Sequence, residues 1–424
     1  MRESDIQISR VDWSVVLIYF ALVIFGWFNI YAAVYDSQAP QSMFDMSINS
    51  GQQLVRIGIS VILIILIMVA DYRFFENLSL FIFLFFVALL VVTPFIGKEV
   101  NGQVLSIGFG SFRIQPGEFA KFATALALAK IMERPTFDLT KTKNQLIAFG
   151  VLFIPILLIL LQPDTGTAMV FFAFLLMFYR EGLPQWYFVL GFGIVALALL
   201  ALGIENNLYL VGGIVLIVAI LSLLGRKSLK KTLVFSLIGL GLIAFTYSLD
   251  YVVSKLPPHQ QNRIMVLFNP NIDPLGVGWN VTQSKIAIGS GGLFGKGYLE
   301  GTQTKFDFVP EQHTDFIFCT LGEEFGWMGS LIVIGLFTAL LYRLVIMAER
   351  QKTRFSRIYG YGVVSILLFH FMINIAMTIG LFPVVGIPLP FFSYGGSSLW
   401  SFTVLLFIFV KLDSSRVAQL GRLS

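Results

Sequence analysis

Apolar residues run through this chain in blocks near twenty residues long, such as Trp13–Ala33, and polar residues gather in the stretches between them. A helix needs about twenty mostly apolar residues to cross the hydrocarbon core of a bilayer. The pattern predicts an all-α polytopic membrane protein, with about 12 transmembrane helices at 13–33, 52–70, 74–95, 117–132, 145–161, 165–179, 185–204, 207–224, 232–250, 314–342, 357–380 and 395–411. The fourth and sixth are short, so they are expected to tilt, kink or lie shielded by protein. Two polar segments stand apart. Residues 96–116 carry the turn signals Asn101-Gly102 and Gly108–Gly110, and residues 251–313 form the longest non-hydrophobic stretch. Loops beyond about fifteen residues are usually functional or disordered. This one mixes Pro, Gly, Trp, Asp and Lys in a varied order, with an amphipathic element expected over 281–288. With no repeat and no soluble domain, the chain reads as a single integral membrane domain over 1–424.

Composition agrees with lipid as the main solvent. Hydrophobic residues make up 57% of the 424 and charged residues 12%, too little charge to cover a soluble protein of this length. A net charge of +5 would suggest nucleic acid in a soluble protein; here it follows from the Lys and Arg that cytoplasmic loops collect, and no nucleic-acid partner is expected. With the N-terminus in the cytoplasm and sides alternating, most of the 29 basic residues fall inside. Outside fall Lys98, Arg113, Lys255, Arg263, Lys285, Lys296 and Lys305, all but the first two in the long loop, where the bias weakens, and Arg56 and Lys121 lie within spans. Both termini are then cytoplasmic, and 96–116 and 251–313 are extracytoplasmic. The single Cys319 forms no intrachain disulfide. Tyr31-Ala32-Ala33-Val34-Tyr35 is too bulky around its alanines for a cleavage site, so the first block is expected to stay as a span.

Ionisable residues inside spans are costly in lipid and mark functional or structural networks. Arg56 lies in the second span, and Glu118 and Lys121 share one face of the fourth at i,i+3. The pair either fastens helices or sets a cation before an anionic headgroup. In Gln162-Pro163-Asp164-Thr165-Gly166-Thr167 the carboxylate of Asp164 either caps the next helix or faces substrate or a cation. Asn269-Pro270-Asn271-Ile272-Asp273-Pro274-Leu275-Gly276 is by itself a turn. Lys285 and Lys296 sit among small residues, Gly289-Ser290-Gly291-Gly292 and Gly295-Lys296-Gly297, that let backbone N–H groups approach a phosphate. The spacing is not that of a nucleotide-binding P-loop. His313 between Glu311 and Asp315 suggests a metal cluster, but without dedicated ligand spacing a hydrogen-bonded helix start is the better reading, and no metal site is assigned.

Four ordered motifs are similar to those of the SEDS family, whose members include RodA, FtsW and SpoVE. They are Gln115-Pro116-x-Glu118-x-x-Lys121; Gln162-Pro163-Asp164-x-Gly166-Thr167; the stretch from Asp273 to Asp315-Phe316-Ile317-Phe318; and Asn374 followed by Gly380-Leu381-Phe382-Pro383-Val384-Val385-Gly386-Ile387-Pro388-Leu389-Pro390-Phe391-Phe392-Ser393-Tyr394-Gly395-Gly396-Ser397. Gly301-Thr302-Gln303 resembles the elongation member more than the division member. The resemblance implies a peptidoglycan glycosyltransferase that polymerises lipid II, the undecaprenyl-pyrophosphate-linked disaccharide pentapeptide. It also implies a class B penicillin-binding protein as transpeptidase partner. It gives Asp273 the role of the essential loop carboxylate, a general base for the acceptor hydroxyl. Cations that steady the leaving pyrophosphate are then sought among Arg56, Arg113, Lys121, Lys285 and Lys296, in a substrate-binding set with Glu118, Asp164 and His313. No cofactor is required by the motifs; a divalent cation such as magnesium is left open.

Two positions depart from the family pattern. Ser106 stands where members usually carry an aromatic residue, leaving Phe109 or Phe112 to supply a ring. Members commonly have ten spans, so the surplus is assigned to an inserted helical hairpin at about 205–250, with an Arg226–Lys231 turn in the cytoplasm. Two rival functions suit the same spans: a flippase for the same precursor, and a scaffold for the penicillin-binding protein.

Overall fold

A computed structural model describes residues 11–416, apart from 37, 101–102, 110–111, 205, 225–228, 257, 270–271, 274–275 and 307. The Asn101-Gly102 signal, Gly110, the residues flanking Asp273 (Asn271 and Pro274) and the 225–228 turn of the expected hairpin lie outside the described residues. The chain divides into two compact units, Met1–Leu183 with Asn280–Ser424, and Pro184–Trp279.

The first unit opens with α1 (Trp13–Ala33), α2 (Asn49–Val69) and α3 (Tyr72–Ile96), each an apolar block that closes its backbone hydrogen bonds internally, as lipid requires. Asp71 starts α3 by accepting the Arg73 N–H. Three strands then make an antiparallel sheet, β1 (Lys98–Val100), β2 (Gln103–Phe109) and β3 (Phe112–Ile114). The sequence pattern gave only turns here, because Gly108 interrupts a strand that is itself short; Gly108 pairs with Arg113 in the register. Ser106 pairs with Lys98 on β1, and the side chains of Phe109 and Phe112 lie outside the described residues.

Next comes α4 (Pro116–Met132), started by Pro at its first turn and buried on every face. Its alanines (Ala120, Ala123, Ala125, Ala127, Ala129) let α3 and later helices approach closely. This explains how a short helix carrying Glu118 and Lys121 is tolerated: it meets protein rather than lipid. α5 (Thr142–Leu160) follows. The short sixth block is α6 (Thr165–Val170) and α7 (Phe174–Arg180), joined by a 3₁₀ turn at Phe171–Ala173.

The second unit holds α8 (Trp186–Gly203), α9 (Leu208–Leu224), α10 (Leu229–Lys255), α11 (Pro258–Met265) and the first residues of α12 (Val277–Ser290). α9 packs on α10 where Gly239 leaves room: a Cβ there would sit 2.6 Å from Val218 Cγ2. The expected long loop 251–313 is therefore largely ordered, with α12 over the expected amphipathic element and one further turn, α13 (Thr302–Lys305), in the first unit.

The first unit resumes with α14 (Ile317–Glu349), α15 (Arg354–Thr378) and α16 (Gly396–Ser414). α14 outruns its expected end at 342; Arg343 in its last turns and Arg350 just past its end pair with Asp12 at 2.7 Å and Asp413 at 2.5 Å. α14 is also broken at Gly326 (φ 64°). The residues 291–297 fill the break: Lys296 N and Gly297 N donate to the carbonyls of Glu323 and Glu324, while Trp327 N and Met328 N donate to Gly292 and Leu293. A helix interrupted in the membrane keeps its backbone groups satisfied this way. Among the described residues nine helices are long and apolar enough to cross a membrane, and the remaining expected blocks fold as α4, α6–α7 and α9. The protein is an all-α polytopic membrane protein.

Candidate functional site

Three separated motifs meet at the start of α16. Tyr394, just before that helix, is fixed by its hydroxyl donating to Gln52 (2.8 Å) and its N–H donating to the His313 carbonyl (2.9 Å). The His313 ring lies against the Tyr394 ring with centroids 5.4 Å apart. The Arg56 guanidinium lies over the same ring, 4.1 Å from the Tyr394 centroid, a cation–π contact that holds it near the helix start. A Cβ on Gly396 would come within 3.3 Å of Arg56 Nε, so glycine here keeps the arginine close. Ser397 Oγ donates to the Arg113 carbonyl and accepts from Gln115 N, both at 3.0 Å, which tethers exposed Arg113 and the start of α4 to the same turn. The N-cap of α16 is Gly395, which has no side chain to cap with, and its own N–H is taken by Gln53 Oε1 at 3.3 Å. The helix's N-terminal partial positive charge therefore adjoins the Arg56 guanidinium, with the Arg113 backbone at the same turn, an arrangement suited to an anion.

One turn deeper lies a buried charge network. Lys121 Nζ is 2.9 Å from Glu118 Oε2, and both residues are almost fully buried. Ser401 Oγ of α16 donates to the same Glu118 oxygen at 3.4 Å. His370 of α15, fully buried, brings Nε2 to 3.0 Å from Lys121 Nζ. Asp164 takes the Thr167 N–H at 2.9 Å, so it does cap α6, and also takes the Gln115 side-chain N–H at 3.0 Å, which joins it to the α4 motif. Burial pushes the Asp164 carboxyl above the usual carboxylate range, against the Thr167 hydrogen bonds that favour its charge. Gly166 abuts the Val385 carbonyl, where a Cβ would collide, and so docks the second motif against the fourth.

The loop residues fall in other surroundings. Lys296 binds Glu323 at 2.6 Å and Thr302 at 2.7 Å, and Glu323 also takes the N–H groups of Thr302, Gln303 and Thr304. Lys296 thus secures the turn that fills the α14 break. Lys285 is exposed on α12, its arm beside Gly380 (a Cβ there would stand 3.1 Å from Lys285 Cδ), while Ser284 donates to the Thr378 carbonyl. Among the described residues no carboxylate pairs with Arg56, Arg113 or Lys285, whereas Lys121 and Lys296 are both paired.

Asp273, in the second unit, is half-buried. Its Oδ2 takes the Val277 N–H at 3.0 Å, at the start of α12, and the Asn262 side-chain N–H at 3.3 Å from α11. Among the described residues both hydrogen bonds go to Oδ2. A Cβ on Gly276 would stand 2.6 Å from Asp273 Oδ1. Gly276→Ala is therefore expected to push the carboxylate aside; overpacking of this kind costs about 1–3 kcal/mol, measured as a lowered unfolding temperature. Among the described residues no group of three or more His, Cys, Asp or Glu stands ready for a metal ion. A magnesium ion would draw most of its ligands from phosphate oxygens and water.

His370 was not among the residues singled out from the sequence. Its signal was present, an ionisable residue in the middle of an apolar run and four before Asn374.

The family model described as "Cell cycle protein" (FtsW, RodA and SpoVE) matches residues 12–211 and 192–417. The peptidoglycan glycosyltransferase RodA of Treponema pallidum (strain Nichols) is 34% identical over 436 residues, covering 97% of this chain and 99% of that protein. The peptidoglycan glycosyltransferase MrdB of Escherichia coli (strain K12) is 33% identical over 390 residues, covering 92% of this chain and 90% of that protein. A solved structure described as structural coordination of polymerization and crosslinking by a peptidoglycan synthase complex aligns with a TM-score of 0.71 at 25% identity, covering 96% of this chain and 98% of that one. Motifs, fold and relatives agree, and the chain belongs to the FtsW/RodA/SpoVE family, the SEDS proteins.

Proposed function

We propose that this chain, a peptidoglycan glycosyltransferase of the FtsW/RodA/SpoVE family, polymerises lipid II into glycan strands at the outer face of the bacterial plasma membrane, during elongation and the maintenance of cell shape. One observation carries the reading beyond the family name: the Arg56 guanidinium stands at the start of α16, with the Arg113 backbone on the same turn, and neither arginine is paired with a carboxylate among the described residues. Such a corner suits a pyrophosphate, whose charge grows as the bond to the sugar breaks. Lys285, exposed beside Gly380, is a further cation without a carboxylate partner among the described residues.

The chemistry is a single displacement. Asp273 accepts the proton of the acceptor sugar hydroxyl as that oxygen attacks the anomeric carbon. The carbon–oxygen bond to pyrophosphate breaks, and the configuration inverts. Glu118, Lys121, Asp164 and His313 are the remaining substrate-binding set, all in the first unit, and Lys296 stays in its ion pair. Both termini lie in the cytoplasm, and the donor enters sideways from the bilayer. A class B penicillin-binding protein, bound as partner, crosslinks the strand.

Replacing Arg56 by Gln keeps a polar arm but removes the charge. Polymerisation of purified lipid II is expected to slow by on the order of 10²-fold, as for loss of one transition-state donor. Unchanged turnover with Arg56→Gln, and again with Arg113→Gln, would remove this corner from the pyrophosphate site.

A further inference from the structure

His370 belongs to none of the four family motifs, yet it touches the one lysine buried among them. Its Nδ1 stands 3.2 Å from the Pro388 carbonyl oxygen, in the loop before α16. A carbonyl only accepts, so Nδ1 carries the proton and Nε2 presents a bare lone pair. That lone pair, 3.0 Å from Lys121 Nζ, takes a hydrogen bond from the ammonium, which has donors and no acceptor. Phe402 completes the arrangement. Its ring stands at 87° to the imidazole with centroids 4.7 Å apart, and Lys121 Nζ lies 4.6 Å from the same ring. Lys121 is therefore gripped by Glu118 from its own helix and by His370 from another. A single acceptor leaves an ammonium free to swing on its four-carbon arm. Two acceptors from different helices, with the Phe402 ring as a third contact, hold the ammonium in one place.

We propose that His370 is a positioning residue for the glycosyl transfer: it orients the Lys121 ammonium toward the leaving pyrophosphate, and the Pro388 carbonyl sets the tautomer that lets it do so. The inference rests on the glycosyltransferase reading above. It ties the charge of α4 to the loop that leads into α16, so both move together. A charge held ready before the reaction needs no reorientation as the pyrophosphate leaves. A displacement of about 1 Å in such a group costs on the order of 10²-fold in rate. Because the extra charge appears only as the bond breaks, the loss falls on kcat and much less on KM.

The test compares His370→Leu with His370→Gln in the full chain bound to its transpeptidase partner, with lipid II as substrate. Leucine fills the space without an acceptor; glutamine restores an oxygen acceptor and an N–H donor about as far apart as the ring nitrogens. The leucine variant is expected to lose about 10- to 100-fold in kcat with KM changed less than about threefold, and the glutamine variant to recover most of it. A two-bond ¹H–¹⁵N histidine spectrum of the wild type is expected to show the His370 proton on Nδ1, with the Nε2 resonance moving in Lys121→Met. Unchanged kcat in His370→Leu, a glutamine variant no better than leucine, or a proton on Nε2 would each overturn the proposal. A wild type that makes no polymer overturns the glycosyltransferase reading instead, and the spectrum still decides whether His370 holds Lys121.

Discussion

Asp273→Asn is expected to lower glycan polymerisation by about 10²- to 10⁴-fold while leaving the fold intact, the range typical of a lost general base. The structure makes this substitution more informative than alanine. Asp273 has a second task, accepting the Val277 N–H at the start of α12 and the Asn262 side chain. Asparagine serves about as well as aspartate in capping a helix but does not accept a proton at neutral pH. It therefore separates the two roles. If capping were the whole function, Asp273→Asn would polymerise normally, and only Asp273→Ala would suffer, through a loss of about 1 kcal/mol in stability. Polymer length on gels and unfolding temperature, measured on the same preparations, read the two effects apart.

The second large effect is on stability. Lys121→Met leaves Glu118 buried without its cation, and breaking a buried ion pair from one side costs about 3–5 kcal/mol. Most of that cost belongs to the stranded carboxylate. The double variant Glu118→Gln, Lys121→Met removes both charges and is expected to regain most of the lost stability. Its activity should stay low, since no cation remains below the α16 start. Thermal unfolding in detergent measures the first point and lipid II polymerisation the second. A double variant that polymerises at the wild-type rate would reduce the pair to a fastener between helices.

Much of the architecture was legible because its cause is local. Blocks of apolar residues such as Trp13–Ala33 are helices, and ionisable residues inside them, Arg56, Glu118 and Lys121, do mark a network. What was hidden depends on partners far along the chain. Lys296 reads as a phosphate ligand among glycines until Glu323, buried and beyond a full loop, is seen to hold it. The sheet at 98–114 was hidden because its strands are too short for a visible alternation. The break in α14 lies in an ordinary Phe325-Gly326-Trp327, and it is explained by the distant residues 292–297, whose carbonyls and N–H groups take up the freed backbone. His370 was passed over for a different reason: a lone histidine in an apolar run carries no partner in its own neighbourhood of sequence. Lys121 lies a long way upstream, and the contact exists only because α4 runs through the middle of its unit.

The central claim is that this chain forms glycosidic bonds, and a single preparation tests it against its rival. The purified protein, with the class B penicillin-binding protein proposed as its partner, is placed in vesicles carrying labelled lipid II, and polymer and the sidedness of the label are followed together. Glycan strands that appear with the wild type and vanish with Asp273→Asn, whatever the movement of the label, are the predicted result. Label that crosses the bilayer with no polymer formed by the wild type would contradict the account and make the chain a flippase.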